Sequence, residues 1–268
     1  MTVSLPTIAI LGAGSMGGAI LSGLNAVGAN VRVTTRSAAS AVSTAGAVST
    51  EADPEANRTA VTGARVVLLG VKPLMVPDLL REIAPALAAD AIVVSLAVGV
   101  TTQTMEALVP SSVVRSMPNT PSLVGRGVTG LSAGSRATDG DMELVRAVFS
   151  TVGDVLVVPE KQLDALSTIS GSGPAYVFLL IEELTKTART LGFTDEQAAV
   201  MVNGTFRGAS ELLASSPLSP AELRRKVTSP KGTTERAIAV LHDADLSELF
   251  DRATAAALAR AKELAAGA

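Results

Sequence analysis

The hydrophobic periodicity of the chain changes once, near Pro159, and that change limits what it can fold into. Before it, short apolar runs alternate with helical stretches; after it, only helical spacing remains. Strand-like runs fall at Ile8 to Leu11, Val31 to Thr34, Arg65 to Val71, Ala91 to Leu96, Ser112 to Ser116, Val128 to Ser132 and Asp154 to Val158. Between them, Met16 to Val27 puts Ile20, Leu21, Leu24 and Val27 near the 3.6-residue period, and Val76 to Leu87, Thr101 to Leu108 and Thr138 to Phe149 also read as helices. Strands joined by crossover helices pair in parallel, so the first part is an α/β domain with a mostly parallel sheet.

Beyond Pro159 the local signals are those of helix ends. Pro174 suits the first turn of a helix running to Leu191, and Gly192 suits its end. Thr194 with Gln197, and Ser219 with Glu222, match capping boxes; Asp245 with Glu248 predicts a third. The alanine-rich tail from Ala253 favours helix as well. The expected division is residues 1–158 for the α/β domain and 159–268 for an all-helical one.

Composition narrows the chemistry. At 47% hydrophobic and 18% charged residues, 268 residues can bury a sizeable core, and with 2% aromatics that core is built from Ala, Val, Leu and Ile. A net charge of −3 argues against a sequence-independent grip on nucleic acid. The apolar runs Ala175 to Ile181 and Ala91 to Val98 fall far short of the roughly 20 residues that cross a bilayer. The first basic residue is Arg32, so no charged region precedes the opening apolar stretch, and a cytoplasmic protein is expected. With no cysteine and one histidine, His242, disulfides, thiolate nucleophiles and multi-histidine metal sites are out, and no metal site is expected. Backbone, hydroxyls and a borrowed cofactor are what remain.

The turn after the first apolar run supplies a reason to expect that cofactor. Gly12, Gly14 and Gly17 form G-x-G-x-x-G between a predicted strand and a predicted helix, with Ser15 and Met16 opening the helix. That pattern serves a tight turn, a close approach of backbone to pyrophosphate, and tight helix–strand packing; an ordinary glycine turn is the plain alternative. NAD-preferring sites carry an acid at the end of the second strand. Here the chain reads Thr34-Thr35-Arg36-Ser37, with no acid before Glu51, which suits the 2′-phosphate of NADP better than a bare ribose. NADPH is the preferred cofactor, with NADH use open.

Four further segments go beyond the generic fold: Val71-Lys72-Pro73, Arg115-Ser116-Met117-Pro118-Asn119-Thr120-Pro121, Ser170-Gly171-Ser172-Gly173-Pro174-Ala175-Tyr176 and Val227-Thr228-Ser229-Pro230-Lys231-Gly232-Thr233-Thr234. Each alone reads as a rigid turn or helix cap. In this order, over Gly12 to about Leu258, the chain resembles the pyrroline-5-carboxylate reductases, which make proline with NADPH. The resemblance implies a Rossmann-type doubly wound N-terminal sheet and a helical C-terminal domain for dimerisation, the homodimers often forming larger rings. It places cofactor contacts at Arg36, Ser37, Asn57, Gly70, Val71, Lys72, Pro73, Leu96, Ala97 and Val98. Ser229, Gly232, Thr233 and Thr234 would hold the substrate carboxylate and ring nitrogen, with Thr234 nearest the imine, and Glu160 falls where family members carry an acid near the substrate.

The chain departs from that pattern at Lys231, which stands where the loop usually has its first glycine. Glycine is used where φ is positive or a ligand crowds the backbone, so either a side chain is tolerated or the loop geometry differs. Two other readings compete. The β-hydroxyacid dehydrogenases use a helix-borne catalytic lysine, for which Lys186, beside Glu182 and Glu183, is the plausible candidate. A non-catalytic NADP sensor would keep the Gly12 turn but has no need of the hydroxyls from Ser229 to Thr234.

Overall fold

A computed structural model describes residues 5–44 and 46–265. The first half contains β1 (Ile8–Leu11), α1 (Ser15–Ala26), β2 (Val31–Thr35), α2 (Ala38–Ser43), β3 (Ala47–Ser49), α3 (Ala56–Val61), β4 (Val66–Leu69), α4 (Val76–Ile83), β5 (Ile92–Ser95), α5 (Thr102–Glu106), β6 (Ser112–Met117), β7 (Gly127–Ala133), α6 (Asp139–Ser150) and β8 (Gly153–Val157). Then come α7 (Glu160–Leu166), a π-helical turn at Ser167–Gly171, α8 (Gly173–Thr190), α9 (Asp195–Ser215), α10 (Pro220–Lys226), α11 (Thr233–Asp243) and α12 (Leu246–Ala265).

The eight strands form one sheet in the order β3-β2-β1-β4-β5-β6-β7-β8. The order reverses between β1 and β4, and the crevice beyond their carboxyl ends is where open α/β sheets bind ligands. Side chains alternate across the sheet as the two-residue strand period requires. Ile8 and Ile10 join the face covered by Ile20, Leu24 and Phe149, while Ala9 and Leu11 join the face covered by Val61, Leu80 and Ile83. All pairs are parallel except β6 with β7. Nine residues join those two strands, too few for a crossover helix, so the chain turns back on itself through Thr120–Val124 and Gly125, whose φ is +68°.

The expected helix over Val76 to Leu87 is shorter than its periodicity suggests. It ends at Ile83, and Pro85 sits in a 3₁₀ turn over Ala84–Ala86. The short α2, β3 and α3 carry too little hydrophobic contrast to have been read in the sequence. Of the three capping boxes, those at Thr194 and Ser219 form completely. Asp245 accepts the Glu248 N–H at 3.2 Å, but its own N–H goes to the His242 carbonyl, so only half of the third box forms.

The last strand ends at Val157, beside the expected division at Pro159, but the compact units part further on, between Ser172 and Gly173. α7 belongs with the sheet: a Cβ on Gly130 of β7 would lie 2.9 Å from both Leu163 and Leu166. The first unit also takes in the end of α12 from Ala257; the second spans Gly173–Ala256. In that second unit Ala188, Ala198 and Val202 are the buried hydrophobics, whereas Val177, Phe178, Leu179, Leu180 and Leu184 of α8 stand exposed. Exposed apolar side chains grouped like this on one helix mark a surface that is normally covered.

One buried charge binds the sheet to α6. Asp141 accepts from Arg65 (2.6 Å), Ser112 (2.9 Å) and the Thr138 N–H (3.0 Å). Burial alone would raise its pKa; the Thr138 N–H, Arg65 and the Ser112 and Thr138 hydroxyls outweigh it and bring the value from 3.8 to about 2. A depressed folded-state pKa gives stability that is complete above about 4 and is lost as pH falls toward 2, worth roughly 2 kcal/mol for a shift of this size. Urea unfolding should therefore show wild type ahead of Asp141→Asn by a gap that is constant above pH 5 and shrinks between pH 4 and pH 2. A gap independent of pH would show that the carboxylate does not titrate this way.

Candidate cofactor and substrate sites

The turn from β1 into α1 is built by backbone proximity. Gly12 has φ +95°, and a Cβ there would lie 2.8 Å from the Gly70 carbonyl oxygen; one on Gly17 would lie 2.5 Å from the Gly12 oxygen. Around Gly14 the situation is reversed, with no atom within 4 Å of a Cβ position. Two of the three glycines are thus demanded by packing, and the middle one faces open space at the start of α1. Gly14 is the N-cap of α1 and no side chain caps the helix, so its first amides point outward with the positive end of the dipole. A phosphate fits that geometry.

Beside the turn lies a cleft of about 660 Å³, whose lining includes Gly12, Thr34, Thr35, Arg36, Asn57 and Val71, with Leu74, Met75 and Leu79 as apolar wall. Arg36 follows β2, its side chain 83% exposed and its Nε 3.9 Å from Glu51. The polar floor is internally tied: the Thr34 hydroxyl donates to Asn57 Oδ1 (2.7 Å), and Asn57 Nδ2 donates to Glu82 (3.0 Å). Ser37 instead spends its hydroxyl as the N-cap of α2, accepting the Ser40 N–H. Lys72 and Pro73 are exposed just after β4, outside the cleft lining. At the end of β5, the buried Ala97 donates its N–H to Ser95 Oγ (3.1 Å), Leu96 is half-buried and Val98 is exposed.

The hydroxyl loop also precedes an uncapped helix. Gly232 is the N-cap of α11 without a side-chain bond, and Thr233 and Thr234 form the first turn, both exposed. Among the described residues, the hydroxyls of Ser229, Thr233 and Thr234 have no hydrogen bond within the chain. Lys231 answers the question its sequence position raised: its φ is +60°. The backbone keeps the left-handed conformation that glycine would take freely, at a cost of about 1 kcal/mol for a residue with a Cβ. Two bonds hold the turn, from the Lys231 N–H to Glu235 (2.9 Å) and from the Gly232 N–H to the Ser229 carbonyl (3.0 Å).

Glu160 is not a free acid. One oxygen accepts the Thr102 N–H (2.8 Å) and the other the Thr102 hydroxyl (2.7 Å), with Arg115 at 3.6 Å. Arg115, 3% exposed, bonds Asp164 at 2.5 Å. Sequence reasoning placed Arg115 in a loop motif and missed this network. The available signal was a charge inside the apolar strand run Val113-Val114-Arg115, which needs a buried partner. Lys186 sits between Glu182 and Glu183, 2.8 Å from each, and the hydrogen bond to Glu182 leads in raising its pKa. This is an exposed ion pair along one helix face. Among the described residues no cluster could hold a metal ion, and no helix is long and apolar enough to cross a membrane.

Comparison with known proteins agrees with these features. Residues 160–264 match the family described as "Pyrroline-5-carboxylate reductase dimerisation", and residues 7–99 match "NADP oxidoreductase coenzyme F420-dependent". The pyrroline-5-carboxylate reductase of Pseudomonas aeruginosa is 39% identical over 98% of both chains. The structure of a pyrroline-5-carboxylate reductase from Coxiella burnetii superposes with a TM-score of 0.90 at 39% identity, covering 97% of this chain and 98% of that one. A Plasmodium falciparum pyrroline carboxylate reductase with NADP bound gives 0.83 at 25% identity, covering 98% and 99%.

Proposed function

Because the chain belongs to the pyrroline-5-carboxylate reductase family, we propose that it reduces L-1-pyrroline-5-carboxylate to L-proline with NADPH. The observation that carries this reading is the pair of long helices, α1 and α11, that each begin on an uncapped glycine. One follows β1, where the strand order reverses, and suits a pyrophosphate; the other follows a hydroxyl loop and suits a small carboxylate. The dinucleotide, when bound, supplies the hydride.

The residues around it bind and orient. The α1 amides at Ser15, Met16 and Gly17 take the pyrophosphate, and Arg36 takes the 2′-phosphate, with Asn57 and Gly70 to Pro73 along the adenosine half and Leu96 to Val98 toward the nicotinamide. Ser37 contributes backbone here, its hydroxyl being committed to the α2 cap. Ser229, Gly232 and Thr233 hold the substrate carboxylate. Thr234 donates to the ring nitrogen, a bond that strengthens as the imine becomes an amine. A threonine hydroxyl is too weak an acid to be the final proton source unless water refills it, so Thr234 positions and relays. The exposed apolar surface of α8 fits burial against a second copy, as the dimerisation match suggests. Assembly of such dimers into rings extends the proposal on the family resemblance alone.

NADPH oxidation measured with pyrroline-5-carboxylate, a six-membered cyclic imine and a β-keto acid tests the substrate class; turnover of the keto acid alone would replace this reading with a carbonyl reductase. Arg36→Ala tests the cofactor assignment. It should raise the NADPH KM about tenfold, the effect of one charge-assisted contact, with NADH use little changed. Equal damage with both cofactors would make Arg36 structural.

A further inference from the structure

We propose that Glu160 is a positioning residue for hydride transfer, acting through Thr102 on the loop between β5 and α5 and touching neither imine nor cofactor. The inference rests on the reading above, in which Leu96 to Val98 lie toward the nicotinamide. That loop is held at two points. At its start the Ala97 N–H donates to Ser95 Oγ. At its end both polar groups of Thr102, N–H and hydroxyl, donate to the two oxygens of Glu160 at 2.8 and 2.7 Å. Between them Ala97 and Val100 are buried in the core, while Val98 is exposed and Gly99 has φ +79°, so the backbone around Val98 and Gly99 takes its position from those anchors and from the two hydrogen-bonded ends.

The charge on Glu160 is fixed in turn. Arg115 lies 3.6 Å away in the floor of the sheet, and Asp164, one helical turn on along α7, holds that guanidinium at 2.5 Å. A carboxylate whose two oxygens both serve one threonine is built to clamp a backbone. The clamp joins α7 to the first residue of α5, so it sets where the end of the loop stands relative to the sheet's carboxyl edge. Hydride transfer is sensitive to such placement: a misplacement of about 1 Å can cost about a hundredfold in rate.

The test compares Glu160→Ala, Glu160→Gln and Thr102→Val by steady-state kinetics and amide hydrogen exchange. Asp164 still pairs with Arg115 in each variant, which keeps the strand's charge compensated. Glu160→Ala should lower kcat about 10- to 100-fold with the imine KM within about threefold of wild type. Glu160→Gln, which can accept the Thr102 N–H and donate to its hydroxyl, should recover most of that loss. Thr102→Val should lower kcat in the same direction, and adding it to Glu160→Ala should cost nothing further. If Glu160 contacts the substrate instead, the imine KM rises, Gln fares as badly as Ala, and Thr102→Val is silent; any of these overturns the clamp. Wild-type turnover judges the proposed reaction separately. Should wild type not reduce the imine, exchange at Val98 to Thr102 still decides: faster exchange in Glu160→Ala supports the clamp, and unchanged exchange removes it.

Discussion

Replacing Thr234 with alanine should lower kcat for imine reduction by about 5- to 150-fold, while NADPH affinity barely moves. The range corresponds to about 1–3 kcal/mol, the cost of leaving one buried polar partner unmet. On the proposed role the loss falls on kcat, because a bond to nitrogen would be stronger in the transition state than in the bound imine. Two structural features favour this hydroxyl. It lies in the first turn of a helix whose N-cap is a glycine, and no group in the chain competes for it among the described residues. Thr233→Ala is the control, with a smaller effect expected from the neighbouring hydroxyl. Steady-state kinetics on both variants, with the loop conformation verified by crystallography, separate the outcomes. If Thr234→Ala matches wild type with the loop intact, the imine is reduced at carbon with only backbone and water around its nitrogen.

What could be read along the chain was local. The Gly12 turn, the strand runs and the boxes at Thr194 and Ser219 are signals contained within a few residues, and each corresponds to an element within one or two residues of its expected limits. The region from Ala38 to Val61 was not legible, since α2, β3 and α3 are three to six residues long and α2 buries none of its side chains. The direction of β7 was not legible either, because antiparallel pairing follows from the length of a connection whose geometry depends on Gly125.

The candidate site divides in the same way. Gly12 and Gly17 carry their reason in the motif, and Lys231 announced itself by standing in a glycine's place. The link from Glu160 to Thr102 spans 58 residues and that from Arg115 to Asp164 spans 49, and no spacing rule connects them. Periodicity predicts which face a residue occupies; it does not predict which charge on another element meets it there. Ser37 shows the opposite case, where a residue implied as a cofactor contact has a local task, capping α2, that its sequence position after β2 already allowed.

The network around Arg115 also carries the largest stability effect expected of a single side chain here. Its guanidinium is 3% exposed on β6, bonded to Asp164 and near Glu160, and its Nε has no partner among the described residues. The arrangement is therefore one cation against two carboxylates, each of them about three-quarters buried. Removing the cation leaves two like charges facing a buried strand, and breaking a buried pair from one side typically costs about 3–5 kcal/mol. Arg115→Met keeps most of the side chain's volume, so the loss measured is chiefly electrostatic. Urea unfolding should place that variant about 3 kcal/mol below wild type. Adding Glu160→Gln and Asp164→Asn to Arg115→Met should recover a large part of the loss, since neutral amides do not repel. If Arg115→Met is as stable as wild type, the two carboxylates are solvated well enough to need no counter-charge. If the triple variant recovers nothing, the arginine acts by packing rather than charge, and the clamp on Thr102 would then be held by α7 alone.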